Sequence, residues 1–273
     1  MKLTTKIVLG IIISIFLLSM GFIIGLSFID MGKYELHNQN VSNVSQGNII
    51  TISVEPYQTI RIDKTTENSD IINFFTYGTI QLKPVINEKD KNKLSMPEEL
   101  LRSTDITSSN DTLIIQINTD KLYEQYKKEV NWQVIEDINY FLYTNTVDVI
   151  CNLSGIKVDI RNMETERIKI NTYGDINIDS CQTNLIEPYM NKGRKFLLKN
   201  SQVKELNIDL DKIGSTWLIE NCNIDVENLT GSGNHRTNLS KSEAKTMNWI
   251  PKNADARLTV NLQGDTAKVM FPK

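Results

Sequence analysis

Asp209 and Asp211, with Glu220 and Asp225 close behind them, are the only acidic cluster in the repetitive part of this 273-residue chain. Paired carboxylates on one face are what a glycoside hydrolase or polysaccharide lyase of the β-helix kind needs, one to protonate the leaving oxygen and one to activate water or attack. Asp209 and Asp211 share strand parity, but Asp211 already falls in the turn before Gly214. The pair is not expected to flank a substrate, and the chain is expected not to be an enzyme; a polysaccharide-acting β-helix enzyme is the alternative. Other reactive residue types are scarce. His37 and His235 are the only histidines, too few for a His-based metal site or an imidazole-activated nucleophile, so no metal and no cofactor is expected. Cys151, Cys181 and Cys222 form no CxxC pair. Cys181 and Cys222 hold the same repeat position two coils apart, about 9.6 Å at the spacing of stacked strands, beyond the roughly 7 Å reach of a disulfide. They are expected to be small buried fillers.

Hydrogen-bonding chemistry has more material. One outward row carries Glu164, Gln182, Gln202, Asn223 and Glu243, and a second carries Lys169, Glu187, Asn207, Asn228 and Asn248. Amides in register could bond the hydroxyls of a glycan, which makes Gln182, Gln202, Asn223, Asn207 and Asn228 the candidate ligand-binding residues. The competing reading is a solvated strand face, which carries the same residue types.

The elements that must position these rows are short strands. Five segments superpose without gaps, beginning at Ile160, Ile178, Leu198, Ile219 and Leu239, which lie 18, 20, 21 and 20 positions apart. That period suits one turn of a β-solenoid and is too short for a helical hairpin repeat. Val158, Ile176, Phe196, Trp217 and Thr237 stand two positions earlier, so each coil has a strand with an inward apolar face. Two positions later come Asn162, Ser180, Asn200, Asn221 and Lys241, at a corner where Asn and Ser tolerate a left-handed backbone. A second strand turns Thr165, Thr183, Val203, Ile224 and Ala244 inward, then Ile168, Ile186, Leu206 and Met247. Glu227 interrupts this last column, and a bulge that brings in Val226 and Leu229 instead is expected. Trp217 is expected to be buried against Phe196, and Gly174, Gly193, Gly214 and Gly231 to mark return turns. A weaker match from Leu142, with Val147 and Ile150 inward, gives five to six coils, closed by a last one over residues 257–271.

Ahead of the coils the composition changes three times. From Ile7 to Ile29 no residue is charged, and a helix of that length at 1.5 Å per residue crosses the roughly 30 Å hydrocarbon core. Lys2 and Lys6 place its N-terminal end in the cytoplasm and the remainder outside. A signal peptide cleaved near Gly25-Leu-Ser27 is the competing reading, against which the length of the apolar run argues. The expected organisation is a cytoplasmic stub and transmembrane anchor over 1–31, a polar stalk over 32–48, a β-rich N-terminal cap region with short helices over 49–140, and the solenoid over 141–273. In the cap region, Ser95-Met-Pro-Glu98 reads as a capping box opening a short helix through Leu101. Leu122, Tyr126 and Val130 predict a second helix from Asp120, with Trp132 packing just beyond it. A net charge of −3 offers no footprint for nucleic acid.

The opening Asn48-Ile-Ile-Thr-Ile-Ser-Val54 and repeats such as Asn200-Ser-Gln-Val-Lys-Glu-Leu-Asn-Ile208 give residues 49–271 a resemblance to the auto-transporter adhesin, head GIN domain family. The resemblance implies a membrane-associated or secreted bacterial protein with a right-handed parallel β-solenoid, and it supplies no catalytic residues. The family's Gly-Ser-Gly turns survive here only at Gly231-Ser-Gly233, and residues 85–111 have no counterpart. The expected protein is therefore mainly β, held in the cell membrane by a single N-terminal span, and acts outside the cytoplasm as an adhesin-like binding or scaffold module. Its expected partners are the lipid bilayer, through residues 7–29, and a glycan or another envelope protein. A sensor ectodomain working with a partner protein is the second alternative, because only residues 1–6 precede the apolar run.

Overall fold

The computed structural model describes residues 20, 41–65, 74–126, 133–191, 195–214, 216–240 and 244–263. These residues are mainly β. In chain order the strands are β1 (Val41–Asn43), β2 (Ile49–Ser53), β3 (Thr59–Thr65), β4 (Phe74–Lys83), β5 (Lys93–Pro97), β6 (Thr104–Ser109), β7 (Thr112–Asn118), β8 (Gln133–Tyr143) and β9 (Val147–Cys151). Helix α1 (Thr119–Tyr126) lies between β7 and β8. Then follow β10 (Ile156–Arg161), β11 (Glu164–Thr172), β12 (Ile176–Asp179), β13 (Gln182–Met190), β14 (Lys195–Lys199), β15 (Gln202–Asp209), β16 (Thr216–Glu220), β17 (Asn223–Gly231), β18 (Asn234–Ser240), β19 (Ala244–Pro251) and β20 (Arg257–Gln263).

One sheet has the order β16-β14-β12-β10-β4-β8-β5-β2, with β1 also on β8; the other has the order β19-β17-β15-β13-β11-β9-β3-β7-β6. From β9 to β17 successive strands alternate between the two sheets, and each strand from β9 to β15 pairs in parallel with the strand two later in the chain. From β10 to β17 the register is the one the repeats predict; Thr237 and Leu239, expected next in the first-strand columns, pair instead with Val260 and Leu262 of β20. Val158, Ile176, Phe196 and Trp217 form one column and Ile160, Ile178, Leu198 and Ile219 the next. In the opposite sheet Thr165, Thr183, Val203, Ile224 and Ala244 align in the same way. Between the sheets lies a single apolar core in which Ile160, Ile178, Phe196, Leu198, Ile168, Ile186 and Leu206 are fully buried.

The corner is built as the residue types require. Asn162, Ser180, Asn200 and Asn221 all have positive φ, from 48° to 56°, a region Asn and Ser enter at less cost than β-branched residues. Hydrogen bonds carry the ladder round it: Gln182 N donates to Met163 O, Gln202 N to Cys181 O and Asn223 N to Ser201 O, at 2.8–2.9 Å. Cys151, Cys181 and Cys222 are buried free thiols. Burial pushes the Cys151 and Cys181 thiols up to about 11, so both stay protonated fillers. At a return turn, Gly174 brings the chain so close to the preceding coil that a Cβ there would lie 1.9 Å from the Ile156 carbonyl oxygen.

Four expectations are corrected. Glu227 is not bulged out: it pairs with Leu206 and Met247 in the inward column and is 1% exposed. The strong parallel register on both sides holds it there. Trp217 lies under Phe196 in register but is half-buried, because β16 ends its sheet while β18 pairs with β20 instead of covering it. Ile150 points outward opposite Asn171; Val149 and Cys151 take the inward positions. The short helix over Glu98–Ser103 is a 3-10 helix without a side-chain cap, since Ser95 belongs to β5 and its hydroxyl bonds Thr51 Oγ1 at 2.7 Å.

The strands before residue 140 continue both sheets rather than standing apart from them. β3 sits between β7 and β9, and β4 between β8 and β10, so the β7–β8 rung lies outside the rung that precedes it in the chain. Antiparallel strands then finish this end, β5 and β2 on one sheet and β6 on the other. Leu100, from the 3-10 helix, and Leu122, from α1, are fully buried there, which closes an edge that would otherwise recruit other strands. α1 covers the first part of the helix expected from Asp120, and Trp132 lies outside the described residues. Among the described residues no helix is long and apolar enough to cross a membrane; the expected span over residues 7–29 lies outside them apart from Met20.

Candidate functional site

The inward residues of β11, β13 and β15 explain where a groove forms. Thr165 and Ile168, Thr183 and Ile186, and Val203 and Leu206 are all inward residues three positions apart, not the two of a flat strand. Each strand therefore kinks at the same height, and the kinks stack. Glu166, Asn184, Lys204, Asp225 and Lys245 sit on the kinks. Outside them opens a groove of about 910 Å³, walled at one end by Pro84, Val85 and Asn145. The wall is tied down by hydrogen bonds, from Val85 N to Asn145 Oδ1 at 3.3 Å and from Thr165 Oγ1 to Asn145 O at 3.3 Å.

Gln182, Gln202 and Asn223 lie side by side in this groove with Glu164, paired in register on consecutive strands. The groove crosses β11, β13, β15, β17 and β19, four strand steps or roughly 19 Å. Asn207 and Asn228 do not join it. Asn228 Nδ2 donates to Asn207 Oδ1 at 2.8 Å and to Glu205 Oε1 at 2.9 Å, and Asn248 Nδ2 donates to Asn228 Oδ1 at 2.9 Å. This second row is an amide ladder that spends its donors on itself and ties coils together. Glu243 lies outside the described residues.

Sequence reading missed the kink residues and the wall. The three-residue inward spacing was the available signal for the first; the wall comes from loops and leaves no periodic trace.

The acidic cluster is divided among lysines. Lys252 Nζ lies 2.5 Å from Asp209 Oδ1 and 2.9 Å from Asp211 Oδ2, and His235 Nε2 lies 2.9 Å from Asp211 Oδ1. The hydrogen bond from Lys252, then that from Ser232 N, hold the Asp211 carboxyl well below the usual carboxylate range. Glu220 pairs with Lys199, and Asp225 with Lys245, both at 2.5 Å. Carboxylates neutralised in this way fasten coils together; they do not face each other across a cleft as a glycosidase pair must. Among the described residues no three His, Cys, Asp or Glu side chains converge as metal ligands do.

A second hollow of about 1100 Å³ lies at the capped end, between the 3-10 helix and α1. Its most constrained acid, Glu99, accepts from Tyr126 Oη at 2.6 Å and Ser45 N at 3.1 Å, contacts that lower its pKa.

No family model matches the chain, and no curated protein matches it. Among solved structures, a "putative adhesin" from Bacteroides fragilis is similar at 14% identity and a TM-score of 0.46, over 84% of this chain and 99% of that one. A second "putative adhesin", from Parabacteroides merdae, is 11% identical over 86% of this chain and all of its own, with a TM-score of 0.31. A "putative lipid binding protein" from Parabacteroides distasonis is 10% identical over 85% of this chain and all of its own, with a TM-score of 0.28.

Proposed function

We propose that this protein is a membrane-anchored, extracytoplasmic binding module of the bacterial envelope: a right-handed parallel β-solenoid whose kinked face grips an elongated polar polymer, a glycan, in the groove across β11 to β19. The observation that carries the reading is the alignment of Gln182, Gln202 and Asn223 on consecutive strands along one open groove. Outward amides repeated at strand spacing match the dense hydroxyls of an extended sugar chain, and a groove open along its length admits a polymer rather than a small molecule. Alternation of strands β9 to β17 between two sheets, with parallel pairing within each, supports the solenoid. The uncharged run over residues 7–29, preceded by Lys2 and Lys6, supports the anchor and a cytoplasmic N-terminus. Membership of the auto-transporter adhesin, head GIN domain family belongs to the same proposal and rests on the strand and repeat residues quoted above.

The test is binding of the full chain, in detergent, to a panel of soluble envelope polysaccharides and their oligomers by isothermal titration calorimetry. Affinity that rises with oligomer length, and falls at least about tenfold, or about 1.4 kcal/mol, in Gln202→Ala, is the expected result. Binding unaffected by Gln202→Ala and Asn223→Ala, or no binding across the panel, overturns the groove as a glycan site.

A further inference from the structure

Three of the exposed large apolar side chains stand on the outer face of one sheet, two of them on β4 in its middle and one on β2 at its capped edge. Ile49 on β2 is 46% exposed, Phe75 on β4 49% and Tyr77 on β4 46%. Strand parity fixes their direction: Ile80 and Leu82 are fully buried and Ile50 and Ile52 pack on the core, so Phe75, Tyr77 and Ile49 face away from it. The Tyr77 ring is held in place by a close approach. Gly155 runs so near β4 that an added Cβ would lie 1.8 Å from the Thr76 carbonyl oxygen and 3.3 Å from the Tyr77 ring.

This patch lies beside the point where the chain enters the sheet. Phe75 pairs with Val134, and Val134 pairs with Val41 in β1, so two strand spacings, about 10 Å, separate Phe75 from Val41. Only the 11 residues 30–40 lie between Val41 and the uncharged run, and even fully extended they reach about 40 Å. Any bilayer that holds residues 7–29 is therefore within reach of the face that carries Phe75 and Tyr77.

We infer that this face is a membrane contact: Phe75 and Tyr77 seat in the headgroup region of the bilayer that carries the anchor, with Ile49 farther across the same face, and lay that sheet toward the lipid. The inference rests on the anchor proposed above. The Tyr77 ring, apolar in its body and polar at its hydroxyl, favours that interface, and the Phe75 ring adds apolar area beside it. The opposite sheet, with its groove, then faces away from the lipid.

The experiment uses the full chain reconstituted in phosphatidylcholine vesicles with and without brominated acyl chains. An indole is added by Tyr77→Trp, or at a comparably exposed site on the opposite sheet by Tyr189→Trp, and the emission gained over the parent is followed. Loss of the added emission in brominated vesicles at position 77 but not at 189 is expected. Carbonate extraction of the same vesicles separates the two ideas. Release by carbonate overturns the anchor and this contact with it. Retention with equal quenching at both positions, or none at 77, overturns the contact alone. If Tyr77→Trp fails to fold, Phe75→Trp gives the same readout from the neighbouring outward position.

Discussion

Glu227 is the residue whose chemistry departs furthest from its neighbours. Its carboxyl sits between Leu206 and Met247 in an apolar column, its Oε1 has no hydrogen-bond partner among the described residues, and burial pushes its pKa up to about 7. An acid whose folded pKa exceeds its unfolded value binds its proton more tightly when native. It therefore favours folding while protonated, and stability falls as pH rises from about 4.5 through 7. The loss above that window comes to about 3 kcal/mol. Glu227→Gln should abolish this slope and be the more stable protein at pH 8, as read by urea unfolding at a series of pH values. Asp211 acts in the opposite sense: its lowered pKa gives stability present above the ordinary carboxylate range and lost on acidification. A second residue-scale test separates the two faces of β15. Leu206 is fully buried and Gln202 is exposed. Leu206→Asp should cost roughly 4 kcal/mol for an unpaired buried carboxylate, while Gln202→Asp should stay within about 0.5 kcal/mol. Equal unfolding midpoints would falsify the assignment of faces.

At the scale of the element, the corner is the most legible device in the chain. Four residues of one alignment column adopt the same left-handed conformation, and Asn and Ser were readable there because few other types occupy it cheaply. Asn200 also donates to Asp179 Oδ1 at 2.8 Å. Asn200→Gly and Asn200→Val lose that bond equally, so their difference reports the backbone alone. The valine variant should be less stable than the glycine one by about 1–2 kcal/mol, measured by thermal unfolding. The second strand was less legible. Alternation predicts which residues are inward, but a stacked kink needs the spacing of three between Thr165 and Ile168 to be read as geometry. The same blindness hid the groove, since the kink residues Glu166, Asn184 and Lys204 look like ordinary surface positions. Glu227 was misread because a charge in an apolar column suggests a local escape. Its backbone had none available, with parallel partners bonded on both sides.

Across the described residues, strands β9 to β17 stack in chain order, whereas β3 and β4 are enclosed by strands that come later. Repetition made the first part readable. The second could not be read, because nothing in residues 49–143 records which strand will lie outside which. The difference predicts where a coil can be removed. Each coil of a stack contacts mainly its neighbours, so stability is approximately a sum over rungs and interfaces. Deleting residues 182–201 joins Cys181 to Gln202, two residues that are consecutive in the aligned repeat, and brings β12 against β16 and β11 against β15 with every inward column preserved. The shortened chain should fold with a parent-like far-ultraviolet circular dichroism per residue and a single cooperative melt at lower temperature. Deleting residues 182–200 instead leaves one residue over, and a one-residue slip turns a strand's inward set to solvent; that chain should lose the cooperative melt. Equal behaviour of the two deletions would mean that the coils are not interchangeable units.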